Sequence, residues 1–345
     1  MGAAIVLIAS IYIGFWATAP SQVDPAQYQI LAYNYNVHIV RDKYGVPHIF
    51  GARDLDAAFG LAYAHAEDDF VTIQDVLLVT RSKLATLHGI DVVKTNYLVQ
   101  FMVVWDVVDA GYDNRINQQT RDHAEAYADG INYYASENPS NIAAGLLPVT
   151  GKDIIAGFTF KTPLFYGFDQ AVAAVFEGRY GTGLDKFAHL QVTDSPQLDI
   201  GSLGIAIAPS RSEDGYTRLL VNSHQPLTGS VAWYEARVKT DEGWDMTGST
   251  FPGLPVILYG HGPTLGWAST VNKPDLMDVY QLTINPNNED QYLLDCLWRD
   301  FEVKDAAIDV TFWGPIRWTF HEPLYRSVHG PVFRINKGNF ALRWA

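Results

Sequence analysis

GSLGIAIAPSRSEDG, residues 201–215, is the stretch on which the reading of this chain turns. A Gly-Ser pair opens a short apolar run that ends at Pro209, in mid-chain, as though a polypeptide began there. The sequence changes character around it. Upstream, VHIVRD (37–42) alternates like a strand and YGVPHIFG (44–51) carries the Gly and Pro of a turn. From Asp54 apolar residues recur at helical spacing as far as Gly89, which supplies a stop; 115–140 reads as another helix and 152–192 as mixed helix and loop. Downstream come short β-runs parted by Gly and Pro: LGIAIA, TRLLVN, VAWYEARV, PVILYG, LGWAST and DVYQLTI. A mostly helical first part followed by a mostly β second part predicts an α+β fold.

Composition narrows the function classes. With 345 residues the chain can bury a sizeable core, and 48% hydrophobic against 18% charged residues excludes a disordered chain. The net charge of −14 argues against a nucleic-acid partner. A single cysteine, Cys296, excludes an intramolecular disulfide and a cysteine zinc cluster. The 19 Tyr, 17 Phe and 9 Trp suit a strand-rich fold with aromatic-lined cavities. Repeats, low-complexity tracts and charge blocks are absent from the sequence.

Residues 1–23 carry no charge, and GAAIVLIASIYIGFWATA (2–19) is nearly continuously apolar, close to the ~20 residues that cross a bilayer. A signal peptide or membrane anchor is expected, with the remainder periplasmic or anchored facing the periplasm. Ala17-Thr18-Ala19 has the small-x-small form of a cleavage site, although a basic flank is missing and Pro20 would follow the cut.

The sequence has no G-x-S-x-G elbow, H-E-x-x-H helix or phosphate-binding loop, and GHGPTLG (260–266) lacks the spacing of a nucleotide site. Longer blocks are informative. VHIVRDKYGVPHIFGARDLDAAFGLAYAHAEDD (37–69), TRSKLATLHG (80–89), GSLGIAIAPSRSEDGYTRLLVNSHQP (201–226) and WDMTGSTFPGLPVILYGHGPTLGWASTVNKPDLMDVY (244–280) resemble, in order, the penicillin acylase family, which includes acyl-homoserine-lactone and cephalosporin acylases. These are N-terminal nucleophile hydrolases.

The resemblance implies a four-layer αββα sandwich and a precursor that cuts itself between Gly201 and Ser202. The expected organisation is then 1–23 signal or anchor, 24–201 mostly helical α-chain plus spacer, and 202–345 the N-terminal part of the β-chain, the two chains remaining partners. An N-terminal Ser202 would carry its own base, an α-amine whose unperturbed pKa of about 7.7–8.0 suits proton transfer near neutrality. Gly201 tolerates the backbone geometry that attack on its carbonyl requires. His224 matches a histidine that orients the serine and its amine. Val271 matches the residue whose backbone N–H enters the oxyanion hole. Asp275 and Asp278 match carboxylates that bind a structural Ca²⁺ in penicillin acylases, although the further acidic ligand falls near Thr150; the chemistry itself requires no cofactor.

The sequence also departs from the family. Leu203 stands where an Asn usually follows the nucleophile, and the asparagine that supplies a second oxyanion donor belongs beyond residue 345, so the chain resembles a truncated precursor. Gln225 stands where relatives that favour long acyl chains carry an aromatic residue. Residues 241–272 contain no Lys or Arg, which disfavours a dicarboxylate acyl group. An apolar or aromatic acyl group remains, with Gln225, Trp233, Tyr234, Phe251 and Leu254 as candidate pocket residues. The expected function is amidohydrolysis of a small-molecule acyl amide such as an acyl-homoserine lactone or β-lactam. The alternative is a non-catalytic envelope homologue that keeps the cleft for ligand binding.

Overall fold

The computed structural model describes residues 25–178, 201–270, 274–313 and 316–344. The apolar run expected to be a signal or anchor lies outside the described residues, as does Val271. Among the described residues no helix is long and apolar enough to cross a membrane.

After a short helix α1 (Pro25–Ala32), strands β1 (Val37–Arg41) and β2 (Pro47–Gly51) form an antiparallel hairpin. The expected turn is therefore shorter than YGVPHIFG. Asp42 closes it by accepting the N–H groups of Tyr44 at 2.8 Å and Val46 at 3.0 Å. Pro47, with no N–H to give a ladder, takes the first position of its strand. Helix α2 (Asp54–Thr80) begins where the Arg53 N–H donates to the Asp56 carboxylate at 2.8 Å. It breaks at Asp69 (φ −151°, ψ 61°), whose carboxylate restarts it by accepting the Thr72 N–H at 3.2 Å.

The helix stops nine residues short of the expected Gly89. Ser82 turns into the left-handed region (φ 56°), pinned by Asn96: Ser82 Oγ donates to the Asn96 carbonyl and Asn96 Nδ2 to the Ser82 carbonyl, each at 2.9 Å. Gly89 instead ends a single turn, α3 (Ala85–His88). Two helices that the sequence does not announce follow, α4 (Val93–Phe101) and α5 (Val104–Arg115). The break between them falls at Val103 in a left-handed conformation (φ 49°), without a Gly or Pro to mark it.

Helix α6 (Gln118–Glu137) starts at Asn117, whose side chain caps the Thr120 N–H at 2.8 Å. It crosses α2 so closely that a Cβ at Gly130 would lie 2.3 Å from the Phe59 carbonyl oxygen, so only glycine permits this crossing. Helix α7 (Gly151–Phe165) is capped by Asp153, which accepts the Thr150 N–H at 2.9 Å, and α8 (Phe168–Glu177) follows.

Strands dominate after residue 201: β3 (Ser202–Ile207), β4 (Arg218–Ser223), β5 (Tyr234–Thr240), β6 (Asp245–Thr250), β7 (Tyr259–His261), β8 (Gly266–Trp267) and β9 (Met277–Gln281). Then come β10 (Ile284–Asn285), β11 (Asn288–Leu294), β12 (Leu297–Asp300), β13 (Glu302–Trp313), β14 (Ile316–Ser327), β15 (Gly330–Ile335) and β16 (Gly338–Trp344). One sheet runs β1-β2-β5-β6-β7-β8. Its β2 and β5 are parallel, His48 opposite Arg237, so the segments before and after Gly201 share a sheet. A second runs β13-β14-β15-β16-β9, and β10-β11-β12 and β3-β4 form smaller sheets. Helices with these sheets make the α+β fold expected from the sequence.

The main core lies between the six-stranded sheet and helices α2, α6 and α7, where Ile49, Leu61, Leu77, Tyr127, Ile131, Ile154 and Val238 are buried together. Beneath it Arg81 donates to Asp153 at 2.6 and 2.7 Å and to the carbonyls of Gly145 and Pro148. That carboxylate, 2% exposed, is thereby fully paired. The five-stranded sheet packs on α4 and α8 through Phe101, Phe168, Val175, Phe333 and Leu342, with the Phe101 and Phe333 rings stacked at 3.9 Å.

Candidate active site

Strand β3 begins at Ser202 and runs antiparallel to β4 with Ser202 opposite Ser223 and Ile207 opposite Arg218. The hairpin loop between them is tightened by an Asp214 carboxylate that pairs with Arg218. One step before the ladder, the His224 N–H donates to the Gly201 carbonyl at 3.1 Å. The pairing thus continues through Gly201 and brings His224 beside the Gly201–Ser202 bond. The Ser202 hydroxyl donates to the same carbonyl oxygen at 2.6 Å.

The absence of a side chain at Gly201 leaves room for the His224 ring. A Cβ there would lie 2.9 Å from His224 Nδ1 and 3.2 Å from Cε1, so a side chain would push the imidazole off the peptide bond. Three residues expected to act together, Gly201, Ser202 and His224, are therefore in contact. The resulting arrangement is a hydroxyl lying on the carbonyl of its own preceding peptide bond, a backbone N–H on the same oxygen, and an imidazole alongside. It can attack that carbonyl and hold charge on its oxygen.

The hairpin rests against the β8 end of the six-stranded sheet. A Cβ at Gly204 would lie 3.1 Å from the Ala268 Cβ, and one at Gly266 would lie 2.8 Å from Leu219 Cδ2. The segment that leads to Val271 therefore runs past the hairpin, but Val271 and its N–H are outside the described residues.

Among the expected pocket residues, Trp233 and Phe251 stack at 4.1 Å, and Leu254 is buried two residues past Pro252. Two aromatic residues not singled out from the sequence extend the stack: Phe165 at the end of α7, 5.6 Å from Phe251, and Tyr259 of β7, 4.7 Å from Trp233. Phe165 comes from a helix and Tyr259 from a strand, so no spacing in the sequence joins them. Tyr234 is placed elsewhere. Its ring stacks on His65 of α2 at 3.8 Å and its hydroxyl donates to Asp68 at 2.7 Å. It is part of the helix–sheet packing, and burial with the Asp68 hydrogen bond raises its phenol above the usual range. Gln225 lies just past β4, its N–H donating to the Ser223 carbonyl at 2.8 Å.

Under the same loop, Lys161 of α7 is buried and donates to the Pro252 carbonyl at 2.8 Å. Burial lowers its ammonium from 10.5 to about 7. His65 is lowered to about 4, first by burial and further by Lys161, against Asp69 and Asp68, which raise it.

Asp275 and Asp278 are both exposed, and among the described residues Asp278 accepts a long hydrogen bond, 3.3 Å, from Tyr280. Among the described residues no group of three or more His, Cys, Asp or Glu side chains could hold a metal ion. Thr150, where the further ligand was expected, uses its hydroxyl on Asp153 at 2.8 Å. These side chains do not by themselves fit a calcium site.

Similarity to known proteins extends over most of the chain. A family model described as penicillin amidase matches residues 36–345. An acyl-homoserine lactone acylase PvdQ of Pseudomonas fluorescens strain Pf0-1 is 26% identical over 74% of this chain and 36% of its own length. That of Pseudomonas fluorescens strain ATCC BAA-477 is 24% identical over 94% of this chain and 44% of its own. The acyl-homoserine lactone acylase QuiP of the latter strain is 25% identical over 86% of this chain. The chain thus spans less than half the length of these relatives. A thermostable penicillin G acylase from Alcaligenes faecalis is 26% identical over 40% of this chain and 25% of its own, with a TM-score of 0.34.

Proposed function

The chain belongs to the penicillin amidase family, and from that premise we propose that it is a self-processing acylase whose nucleophile is Ser202. The observation that carries this reading is the Ser202 hydroxyl lying 2.6 Å from the carbonyl oxygen of Gly201, with His224 alongside. In the first step Ser202 Oγ attacks the Gly201 carbonyl carbon. Charge develops on an oxygen that already accepts the His224 N–H. The Gly201–Ser202 C–N bond breaks, the nitrogen takes up the hydroxyl proton and becomes an α-amine, and Gly201 is left as an ester on Oγ. Water hydrolyses the ester, giving a Gly201 carboxylate and a free Ser202.

In turnover the α-amine takes the Ser202 hydroxyl proton as Oγ attacks the carbonyl of an acyl amide. The amine product leaves with a proton, and water hydrolyses the acyl ester. The His224 imidazole orients the amine, and the Val271 N–H is the proposed oxyanion donor. The two chains would stay together after the cut, since β2 is paired with β5 and Lys161 is bonded to Pro252 across it.

The substrate class is a neutral acyl amide of a small amine, of the acyl-homoserine-lactone or β-lactam kind. The Trp233–Phe251 stack supports the apolar acyl group, and the lack of Lys and Arg in 241–272 disfavours a charged one. The uncharged residues 1–23 support export or membrane anchoring, with this domain in the periplasm. Amine release from a neutral acyl amide by the full-length gene product, compared with its Ser202→Ala variant, tests the function. Turnover is expected from the first and none from the second; equal rates would contradict it.

A further inference from the structure

We infer that Ser223 is a positioning residue for the mature nucleophile, a role that rests on the reading of Ser202 given above. Ser202 and Ser223 stand directly opposite each other in the β3–β4 ladder. The adjoining pair, Gly201 and His224, is joined by a backbone hydrogen bond. Antiparallel pairs alternate between bonded and unbonded, so Ser202 and Ser223 form an unbonded pair. Their Cα atoms are then about 4.5 Å apart and their side chains share one face.

Gly204, Ala206, Leu219 and Val221 share that face, and the Gly266–Ala268 segment approaches it at Gly204 and Leu219. Ser223 Oγ itself is shut off from water, yet among the described residues it has no hydrogen-bond partner. A buried hydroxyl without a partner is costly, and here the group opposite it is the reacting serine.

In the uncut chain the Ser202 hydroxyl is already engaged by the Gly201 carbonyl. The cut releases Gly201 from the strand and leaves Ser202 with a free hydroxyl and a new α-amine. Ser223 Oγ, which can donate and accept, is then positioned across the ladder to take one of them and hold the nucleophile in a single rotamer. Leu203 offers no polar group for this task. Its side chain points to the opposite face and is exposed.

This division of labour makes Ser223 dispensable for the cut and important afterwards. Wild type would be compared with Ser223→Ala, Ser223→Cys and Ser223→Thr. The readouts are the fraction cut to a fragment beginning SLGIA, and the rate at which phenylmethylsulfonyl fluoride modifies Ser202 over a pH series, read by intact mass. All four proteins are expected to cut. Modification should slow about tenfold in the Ala and Cys variants, while Thr, which restores the hydroxyl, stays within about twofold of wild type. On a neutral acyl amide kcat should fall with KM unchanged. Wild-type labelling rates in Ala or Cys, a Thr variant as slow as Ala, or a variant left uncut would each overturn the role of Ser223 alone. A wild-type protein that yields no SLGIA fragment would overturn Ser202 as nucleophile and Ser223 with it.

Discussion

Along α2, Ala57, Ala58, Leu61, Ala62 and Ala64 are fully buried, whereas along β3 the side chains of Leu203, Ile205 and Ile207 are 46%, 44% and 40% exposed. The α2–α6 crossing is close enough to exclude any side chain at Gly130, and the Asp153 carboxylate beneath the core is paired with Arg81. The hairpin rests on the sheet through one face only. Stability is therefore concentrated in the helix–sheet core, and the proposed reactive groups lie on a thin, locally determined element. Substitutions should separate accordingly: those in the hairpin change chemistry and leave the fold intact, and those in the core do the reverse.

The largest effect is expected from Ser202→Ala. It should leave the chain uncut and lower acylase turnover by roughly 10³-fold or more, with an unchanged urea midpoint. Loss of folding in this variant would break the contrast. Asp153→Ala tests the other side. It removes the carboxylate that pairs with Arg81 and strands a guanidinium at 15% exposure, so a destabilisation of about 3–5 kcal/mol is expected in urea titrations. The fraction of folded chain that is cut should stay the same.

A smaller effect concerns pH. The folded state lowers the His65 imidazole from 6.5 to about 4, chiefly by burial. The unfolded chain therefore binds more protons between these values, and the stability contributed by neutral His65 is full above about 6.5 and lost as pH falls through about 4. His65→Phe keeps a ring stacked on Tyr234 and should flatten the acid side of the urea-midpoint profile. An unchanged slope would remove His65 from the account. Specificity carries the smallest expected effect. Matched neutral-acyl and glutaryl amides compared by kcat/KM should differ by about tenfold or more in favour of the neutral acyl group, since a carboxylate finds no partner in an apolar site. Faster glutaryl turnover would refute the pocket reading.

The contrast also explains how much was legible in the sequence. The meeting of Gly201, Ser202 and His224 was readable because a hairpin is local and its motif lies within one continuous block. The same holds for the helical reading of 54–80, where apolar spacing and a capping carboxylate agree. The end of that helix was not readable, because Ser82 is held by Asn96, a residue of another helix. Helices α4 and α5 were missed because they part at a valine, a residue that seldom adopts a left-handed turn. Tyr234, a candidate pocket residue, instead stacks on His65 of α2, a contact between distant segments that no spacing in the sequence announces. The partnership of Ser202 and Ser223 depends on register across a ten-residue loop, which sequence does not determine.

The central claim is that Ser202 attacks the carbonyl it touches. N-terminal sequencing with intact-mass analysis of the purified protein tests it most directly. The account predicts a fragment beginning SLGIA in the wild type and a chain uncut at Gly201–Ser202 in Ser202→Ala. A processed fragment with any other start, or the same fragment from Ser202→Ala, would contradict it.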